Sequence, residues 1–380
     1  MIRILHCIET IASGGVEQVR LSLVRGLPKE TFEHKIICTW KGGPIAEALE
    51  REGVELIPIG GFKHPFEWKK HKAVLDIIRK YKPHIIHGAI FEGMSMAAIS
   101  GSLGRVPIRI LEETSLPLGR SKKSLWLQKL FLSLSDAIIG ISPEVGNFLK
   151  TTAGLPVHKI HLINNGVDIP APIDPKDLKL LKESLGIQEG DLVLGSVGRL
   201  YDQVKRFSDC IKAVKLLDSS TIKFLVIGDG PNRQELVNLV NDLGLSDQVF
   251  FLGYQAIPHP YYKIMDVFCI SSAHEGFGLV AAEAMMHGLP VIASRVGGLQ
   301  DVVLDGETGF LVPPYSPESI AEKIQVLLKD VSLREKMGAQ GKQRALEHYS
   351  AQRYCKDVES LYSELLELKG IGKRELSLRE

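Results

Sequence analysis

A twofold alternation constrains this chain more than any other feature. Short β-rich apolar runs take turns with longer segments of helical period, the rhythm halts at a proline-rich stretch, and then it resumes. In the first half the strand candidates are residues 2–8, 34–40, 54–59, 84–90, 107–112 and 136–142. The helix candidates between them are 16–26, 43–52, 67–81, 92–103, 123–134 and 143–152. Strands and helices at this spacing argue for a parallel sheet covered on both faces. The right-handed crossover rule then makes a doubly wound domain the simplest topology. After the pause, strands read at 192–199, 222–230, 248–254, 266–272, 290–294 and 308–314, with strong helical period at 318–329, 331–346 and 352–368.

The pause itself, "NNGVDIPAPIDPKD", carries prolines at 170, 172 and 175 and has no periodicity. Prolines favour an extended, semi-rigid connector. The expected organisation is therefore an α/β chain of two facing, Rossmann-like, doubly wound domains. The boundaries are a first domain over 1–168, a linker over 169–178, a second domain over 179–350, and a C-terminal segment 351–380 whose helix packs back toward the first domain. Ligands bind beyond the carboxyl ends of strands in such sheets, and two facing domains enclose a cleft that suits them.

Charge and cysteines narrow the class. Formal net charge is +1, but residues 1–169 hold 22 Lys and Arg against 16 Asp and Glu, and the remainder holds 24 against 29. A basic half and an acidic half fit two domains with different partners. Cys7, Cys38, Cys210, Cys269 and Cys355 are scattered and odd in number, with no zinc spacing, so reduced buried thiols are expected. The start, "MIRILHCIE", reads as a first strand rather than a signal peptide. No span reaches the ~20 apolar residues of a membrane helix. A cytoplasmic protein is expected, or one held peripherally on the cytosolic face of a membrane.

The chemistry concentrates in "SSAHEGFGLVAAEAMMHGLPVIAS", residues 271–294, which sets Glu275 beside a Gly-Phe-Gly turn and Glu283 inside an alanine-rich helix. Gly276 and Gly278 permit close backbone approach. The helix that opens near Leu279 offers free N–H groups and a positive dipole end, a site for phosphate. Glu283, about one turn in, could accept two hydrogen bonds from a vicinal diol such as a ribose, and Glu275 could hold a second polyol. A glutamate early in a helix can also serve only that helix, capping N–H groups and matching its dipole, a reading that weighs evenly for Glu283 but less for Glu275 beside the Gly-Phe-Gly turn. "GSVGRLYDQVKRF" supplies cations for an anionic ligand: Arg199 at a strand's carboxyl end and Lys205 before the next helix, a fork and a point charge that suit a diphosphate. "TIASGGVEQVR" repeats the glycine-turn-to-helix device in the first domain at Gly14 and Gly15. "GDGPNRQEL" lacks the third glycine of a dinucleotide fingerprint and reads as a tight strand exit.

Taken in order, these segments resemble the retaining, nucleotide-sugar-dependent glycosyltransferases of family 4. "EGFGLVAAEAMMHGLPVIASRVGG" looks like the family signature, with its paired glutamates at Glu275 and Glu283. "SGGVEQV" resembles the N-terminal glycine loop, "INNGVD" the inter-domain segment and "GRLYDQVK" the phosphate-binding Arg and Lys, so the likeness covers nearly the whole chain. The resemblance implies a GT-B fold with an inter-domain cleft and transfer of a hexose-type sugar from a nucleoside diphosphate sugar, UDP first and GDP next. Arg199 and Lys205 would neutralise the leaving diphosphate, Glu275 would contact the donor sugar and Glu283 the ribose. The segment Gly276, Phe277, Gly278 and Leu279 would flank the phosphates together with Gly14 and Gly15, and backbone from Tyr254 to Ile257 would meet the base. No cofactor or metal is expected, because Arg, Lys and the helix end do the work of Mg²⁺.

Many relatives place a histidine near the reacting sugar. Here the corresponding stretch is "RILEETSLP", with Glu112 and Glu113. Glu113 could act as hydrogen-bond acceptor or weak base, or could pair with Arg109 or Arg120. His87 and Glu112 are acceptor-side candidates. Two basic-aromatic stretches, "GFKHPFEWKKHK" and "GRSKKSLWLQKLFL", suit contact with an anionic membrane carrying a lipid-linked acceptor, or are ordinary amphipathic segments. The expected partners are the nucleotide-sugar donor, a sugar or lipid-linked acceptor from surface polysaccharide or glycolipid assembly, and no nucleic acid. The rival readings are a nucleotide-sugar-binding regulatory subunit without turnover and a sugar-nucleotide epimerase of the same architecture.

Overall fold

The computed structural model describes residues 1–116 and 121–371. Arg120 and the tail from 372 onward lie outside the described residues, as does the side chain of Lys122. The chain divides into two compact units, one formed by Met1–Gly166 with the segment from Ala351, the other by Val167–Ser350.

The first unit is built on a seven-stranded parallel sheet. Its spatial order is Glu55–Pro58, Phe32–Cys38, Ile2–Cys7, Ile85–Ala89, Ile108–Glu113, Ala137–Gly140 and Ile160–Leu162. Strands such as Ala137–Gly140 are buried along their whole length, which is why they read as continuous apolar runs. The helix Ala351–Leu368 belongs to this unit and packs on the helix Gly15–Gly26. Its buried stripe of Tyr354, Val358, Leu361, Tyr362 and Leu365 recurs every three to four residues, the period of one helix face.

The second unit carries six parallel strands in the order Val249–Gly253, Ile222–Ile227, Leu192–Val197, Val267–Ile270, Val291–Ser294 and Gly309–Val312. This is the doubly wound order in which the chain reverses direction beside its first strand. The reversal falls between Leu192–Val197 and Val267–Ile270, so the loops leaving these two strands diverge and leave a crevice at their carboxyl ends.

Two features differ from the sequence expectation. The linker expected over 169–178 ends early, because Pro175–Ser184 is a helix. Asp174 caps it, accepting from the Lys176 amide at 2.8 Å, and Pro175 sits in the first turn, where its missing N–H removes no bond. The edge strand Ile160–Leu162 was not expected, since three residues show no period. The five cysteines are free and buried. Among the described residues no helix is long and apolar enough to cross a membrane.

Candidate active site

The crevice of the second unit gathers most of the residues singled out above. Strand Leu192–Val197 runs out at Gly198, and Arg199 follows, exposed, with no hydrogen bond or ion pair from its guanidinium among the described residues. The chain then makes a short helix, Asp202–Lys205, before the longer helix Phe207–Leu217. Between them Arg206 takes a left-handed conformation, φ 55°, held by a two-pronged ion pair to Asp209 at 2.7 and 3.0 Å. The neighbouring strand Val267–Ile270 ends at Ser271, whose hydroxyl donates to the Arg206 carbonyl at 2.6 Å and the Lys205 carbonyl at 3.2 Å. These bonds stitch the two diverging loops together and set Lys205 against Glu275, Nζ to Oε2, at 2.5 Å. Ser272 Oγ donates to the same carboxylate oxygen at 3.3 Å.

The Glu275–Gly278 turn is held by close backbone packing. Gly278 has φ 100°, and a Cβ there would stand 2.5 Å from Leu299 Cδ2. Gly298 donates its amide to the Glu275 carbonyl at 3.1 Å, and a Cβ on it would fall 2.5 Å from the Gly276 carbonyl oxygen. Both positions therefore require glycine. Phe277 turns inward and meets Tyr349 edge-on at 5.4 Å, so only its main chain faces the crevice side. The helix Leu279–Met286 begins here, and the amides of Leu279 and Val280 have no partner among the described residues. Free donors at a positive dipole end favour an anion.

Glu283 lies one turn further along this helix, half-buried. It accepts from the Tyr262 hydroxyl at 2.7 Å through Oε2, and its other oxygen makes no hydrogen bond among the described residues. Burial pushes its carboxyl up to about 7; the Tyr262 bond works against that rise and the charge of Asp168 adds to it. Tyr262 is itself fully buried, stacked on His287 at 4.8 Å, and His287 Nδ1 bonds the Glu283 carbonyl at 2.8 Å. Tyr254 and Ile257 are 46% and 68% exposed on the loop beyond strand Val249–Gly253.

The first unit corrects several expectations. Gly14 does cap the helix Gly15–Gly26, but the carboxyl of Glu17 folds back over that end. It takes the Thr10 hydroxyl at 3.2 Å and backbone hydrogen bonds from Ala12, Gly14 and its own amide, so a carboxylate already stands beside Gly14. His87 and Glu112 are 0% and 1% exposed and cannot meet an acceptor. Glu112 pairs with Arg20 at 2.8 Å and with His87 at 3.2 Å, and His87 Nδ1 meets the Tyr362 hydroxyl at 2.7 Å. Burial alone would raise the Glu112 carboxyl, but the Arg20 guanidinium and His87 hold it down to about 2. This network fastens the C-terminal helix to the sheet. Glu113 is 1% exposed and accepts from the Gln128 amide, a contact inside the fold. Arg109, offered as its partner, pairs with Asp136 at 3.1 Å.

Sequence reasoning passed over two acids at the reversal point of this sheet. Glu9 follows strand Ile2–Cys7 and Glu92 follows Ile85–Ala89; burial raises the Glu9 carboxyl, and the charges of Glu92 and Glu17 raise it further. The available signal was their position just past two strand candidates. Tyr262 was missed as well, because nothing in "YYKIMDV" ties a tyrosine to a glutamate 21 residues on.

Comparison with known proteins now carries the family. The model for glycosyl transferases group 1 matches residues 178–344, and the model for glycosyltransferase family 4 matches residues 13–170. An uncharacterized glycosyltransferase of Methanocaldococcus jannaschii is 30% identical over 378 residues, covering 94% of this chain and 96% of its own. The capsular polysaccharide biosynthesis glycosyltransferase CapM of Staphylococcus aureus is 29% identical, covering 78% of this chain and 81% of its own. Among solved structures, Anabaena HepE in complex with UDP and glucose superimposes with a TM-score of 0.85 at 22% identity, over 96% of this chain and 100% of that one. With two Rossmann-like units of the GT-B fold and a relative 30% identical over 94% of this chain, the chain belongs to the family 4, group 1 glycosyltransferases.

Proposed function

We propose that the protein transfers a hexose from a UDP-sugar to a hydroxyl acceptor, with retention at the anomeric carbon and without a metal. The observation that carries the reading is the Lys205–Glu275 pair, set at the reversal point of the second sheet beside the free end of helix Leu279–Met286. Arg199 and Lys205 take up the charge that grows on the diphosphate as the sugar leaves, and the amides of Leu279 and Val280 receive phosphate oxygens. Gly276 and Gly278 let that backbone approach closely. Glu275 turns to a donor-sugar hydroxyl once Lys205 is drawn to phosphate, and the free oxygen of Glu283 accepts from the ribose. Main chain between Tyr254 and Ile257 meets the base.

Uridine is preferred over guanosine because a protein of the same fold, Anabaena HepE, was crystallised with UDP. The acceptor class, surface polysaccharide or glycolipid under assembly at the cytosolic face of a membrane, draws support from the capsule-forming relative. The first experiment is calorimetric titration with UDP, GDP and ADP, with and without EDTA. The expected result is that UDP binds in the micromolar range, near −8 kcal/mol, unaffected by EDTA. No nucleotide binding by the folded protein would remove the phosphate-site argument, and an inverted anomer in the product by NMR would remove retention.

A further inference from the structure

The helix Leu279–Met286 stops because Gly288 follows in a left-handed conformation, φ 79°, and the Leu289 amide turns back to the Ala284 carbonyl at 3.1 Å. His287 stands at that end, one helical turn after Glu283. The short helix His259–Ile264 supplies a second pair at helical spacing, His259 and Tyr262. The two pairs close on each other. Tyr262 is stacked on His287 with ring centres 4.8 Å apart, and His259 meets the same imidazole with ring centres 5.2 Å apart. His259 Nδ1 and His287 Nε2 are 3.3 Å apart, and His287 Nδ1 is 2.8 Å from the Glu283 carbonyl oxygen. These contacts fix the protons. A carbonyl only accepts, so His287 Nδ1 carries a hydrogen. Burial holds this imidazole down to about 4, so it is neutral at neutral pH and its Nε2 is bare. The hydrogen between the two rings therefore sits on His259 Nδ1. Donation runs one way, from His259 to His287 to the main chain of Glu283, while the Tyr262 hydroxyl holds one carboxylate oxygen of the same residue at 2.7 Å. Glu283 is thus gripped at its carbonyl and at its carboxylate.

We propose that His259 and His287 are positioning residues for the ribose of the donor: their one-way hydrogen-bond chain, packed against Tyr262, holds Glu283 in the rotamer whose free oxygen meets the vicinal hydroxyls. The inference rests on the ribose role proposed for Glu283 and adds the residues that make that role selective. A carboxylate held in place beforehand loses no side-chain freedom when a diol arrives, whereas a loose one does. Loosening the clasp therefore costs affinity only for ligands that carry ribose hydroxyls. The phosphate contacts proposed for Arg199 and Lys205 come from another strand and stay as they are.

The test titrates the full chain calorimetrically with UDP, with dideoxy-UDP lacking both ribose hydroxyls, and with inorganic pyrophosphate; GDP and dideoxy-GDP repeat it for the other base. Wild type should prefer the ribose form over the dideoxy form by at least about tenfold. His287→Phe keeps a ring to stack on Tyr262 but loses both hydrogen bonds, and His259→Leu removes only the first donor. Each should reduce the preference to about twofold or less, with pyrophosphate binding unchanged. His259→Asn keeps an N–H close to the place of Nδ1 and should restore the preference. A role in stability alone would shift thermal melts without moving this ratio. His259 is only partly buried, so its variants carry the test even if His287→Phe unfolds. Heteronuclear NMR of the wild type should find both imidazoles protonated on Nδ1 at neutral pH. A wild type without the preference removes the ribose role of Glu283, and the positioning role falls with it. A wild-type preference that persists in folded His259→Leu, or a His287 protonated on Nε2, overturns the positioning role alone.

Discussion

Lys205 Nζ and Glu275 Oε2 meet at 2.5 Å although seventy residues separate them in the chain. The lysine proposed to receive a diphosphate is thus held by the carboxylate proposed to receive the sugar, and the two substitutions should part company. Lys205→Ala removes a phosphate ligand and should weaken UDP binding at least about tenfold, or ~1.4 kcal/mol. Glu275→Ala frees the lysine from its competitor, so UDP should bind as tightly as to wild type or more tightly. Turnover should nevertheless fall by about 10²-fold or more, because the sugar loses its anchor in the transition state. Calorimetry with UDP and release of UDP from its sugar measure the two effects. Equal loss of UDP affinity in both variants would mean the pair is only structural.

Glu283 gives the site a pH dependence of defined sign. Its carboxyl is raised to about 7 by burial, and it accepts ribose hydroxyls more strongly once ionised. Donor affinity should therefore rise with pH through 7. Because UDP titrates as well, the informative quantity is the ratio of wild-type to Glu283→Gln affinity, which should grow from near one at pH 5.5 and level off above 8. Tyr262→Phe removes the bond that favours the ionised form and should move this rise to higher pH.

Stability should move the opposite way. The folded carboxyl holds its proton more tightly than the unfolded one, so its contribution is complete below the unfolded value of about 4.5 and is lost as pH rises through 7. Glu283→Gln should therefore raise stability at pH 8 by about 2 kcal/mol relative to wild type and change it little at pH 4. Urea unfolding at the two pH values checks it, and a variant that is less stable at pH 8 contradicts the assignment.

Sheet architecture was legible because parallel strands buried on both faces read as unbroken apolar runs, as Ala137–Gly140 and Val267–Ile270 do. The second unit's crevice was legible for a related reason. Arg199 stands just past one strand and Glu275 in the turn after its neighbour, and a glycine lies beside each of them. What sequence could not supply was pairing across distance. His87, Glu112 and Glu113 also stand at or near the carboxyl end of a strand, yet their side chains point into the fold and find Arg20, Tyr362 and Gln128 from remote helices. The same limit hid Glu17, whose carboxyl folds back over Gly14, and Tyr262 behind Glu283. Pro175 misled for a different reason: a proline marks both a linker and a first helical turn, and only the Asp174 cap distinguishes them.

Gly278 offers a test of the turn that presents the helix end. With φ at 100° and Leu299 Cδ2 standing 2.5 Å from the place a Cβ would take, alanine is strained twice. Gly278→Ala should lower stability by about 1–3 kcal/mol. It should also weaken UDP binding, since the Leu279 and Val280 amides would be displaced. Leu299→Ala opens the space a Cβ needs but leaves the backbone strain, so the double variant should recover only part of either loss. Full recovery would show that the positive φ is immaterial.

The buried network of the first unit separates stability from catalysis. Arg20 and Glu112 are each 1% exposed, and His87 and Tyr362 complete the set. Arg20→Met leaves a buried carboxylate without its counter-charge and should destabilise by about 3–5 kcal/mol. Adding Glu112→Leu removes the stranded charge, so the double variant should regain most of that loss, as buried ion pairs replaced by apolar residues commonly do. Denaturant unfolding of the three proteins gives the coupling energy directly. Neither residue can reach a substrate from its buried position, so turnover of the folded double variant should stay close to wild type. A collapse of turnover with stability restored would return Glu112 to the acceptor side of the reaction, and with it the role that its burial now denies.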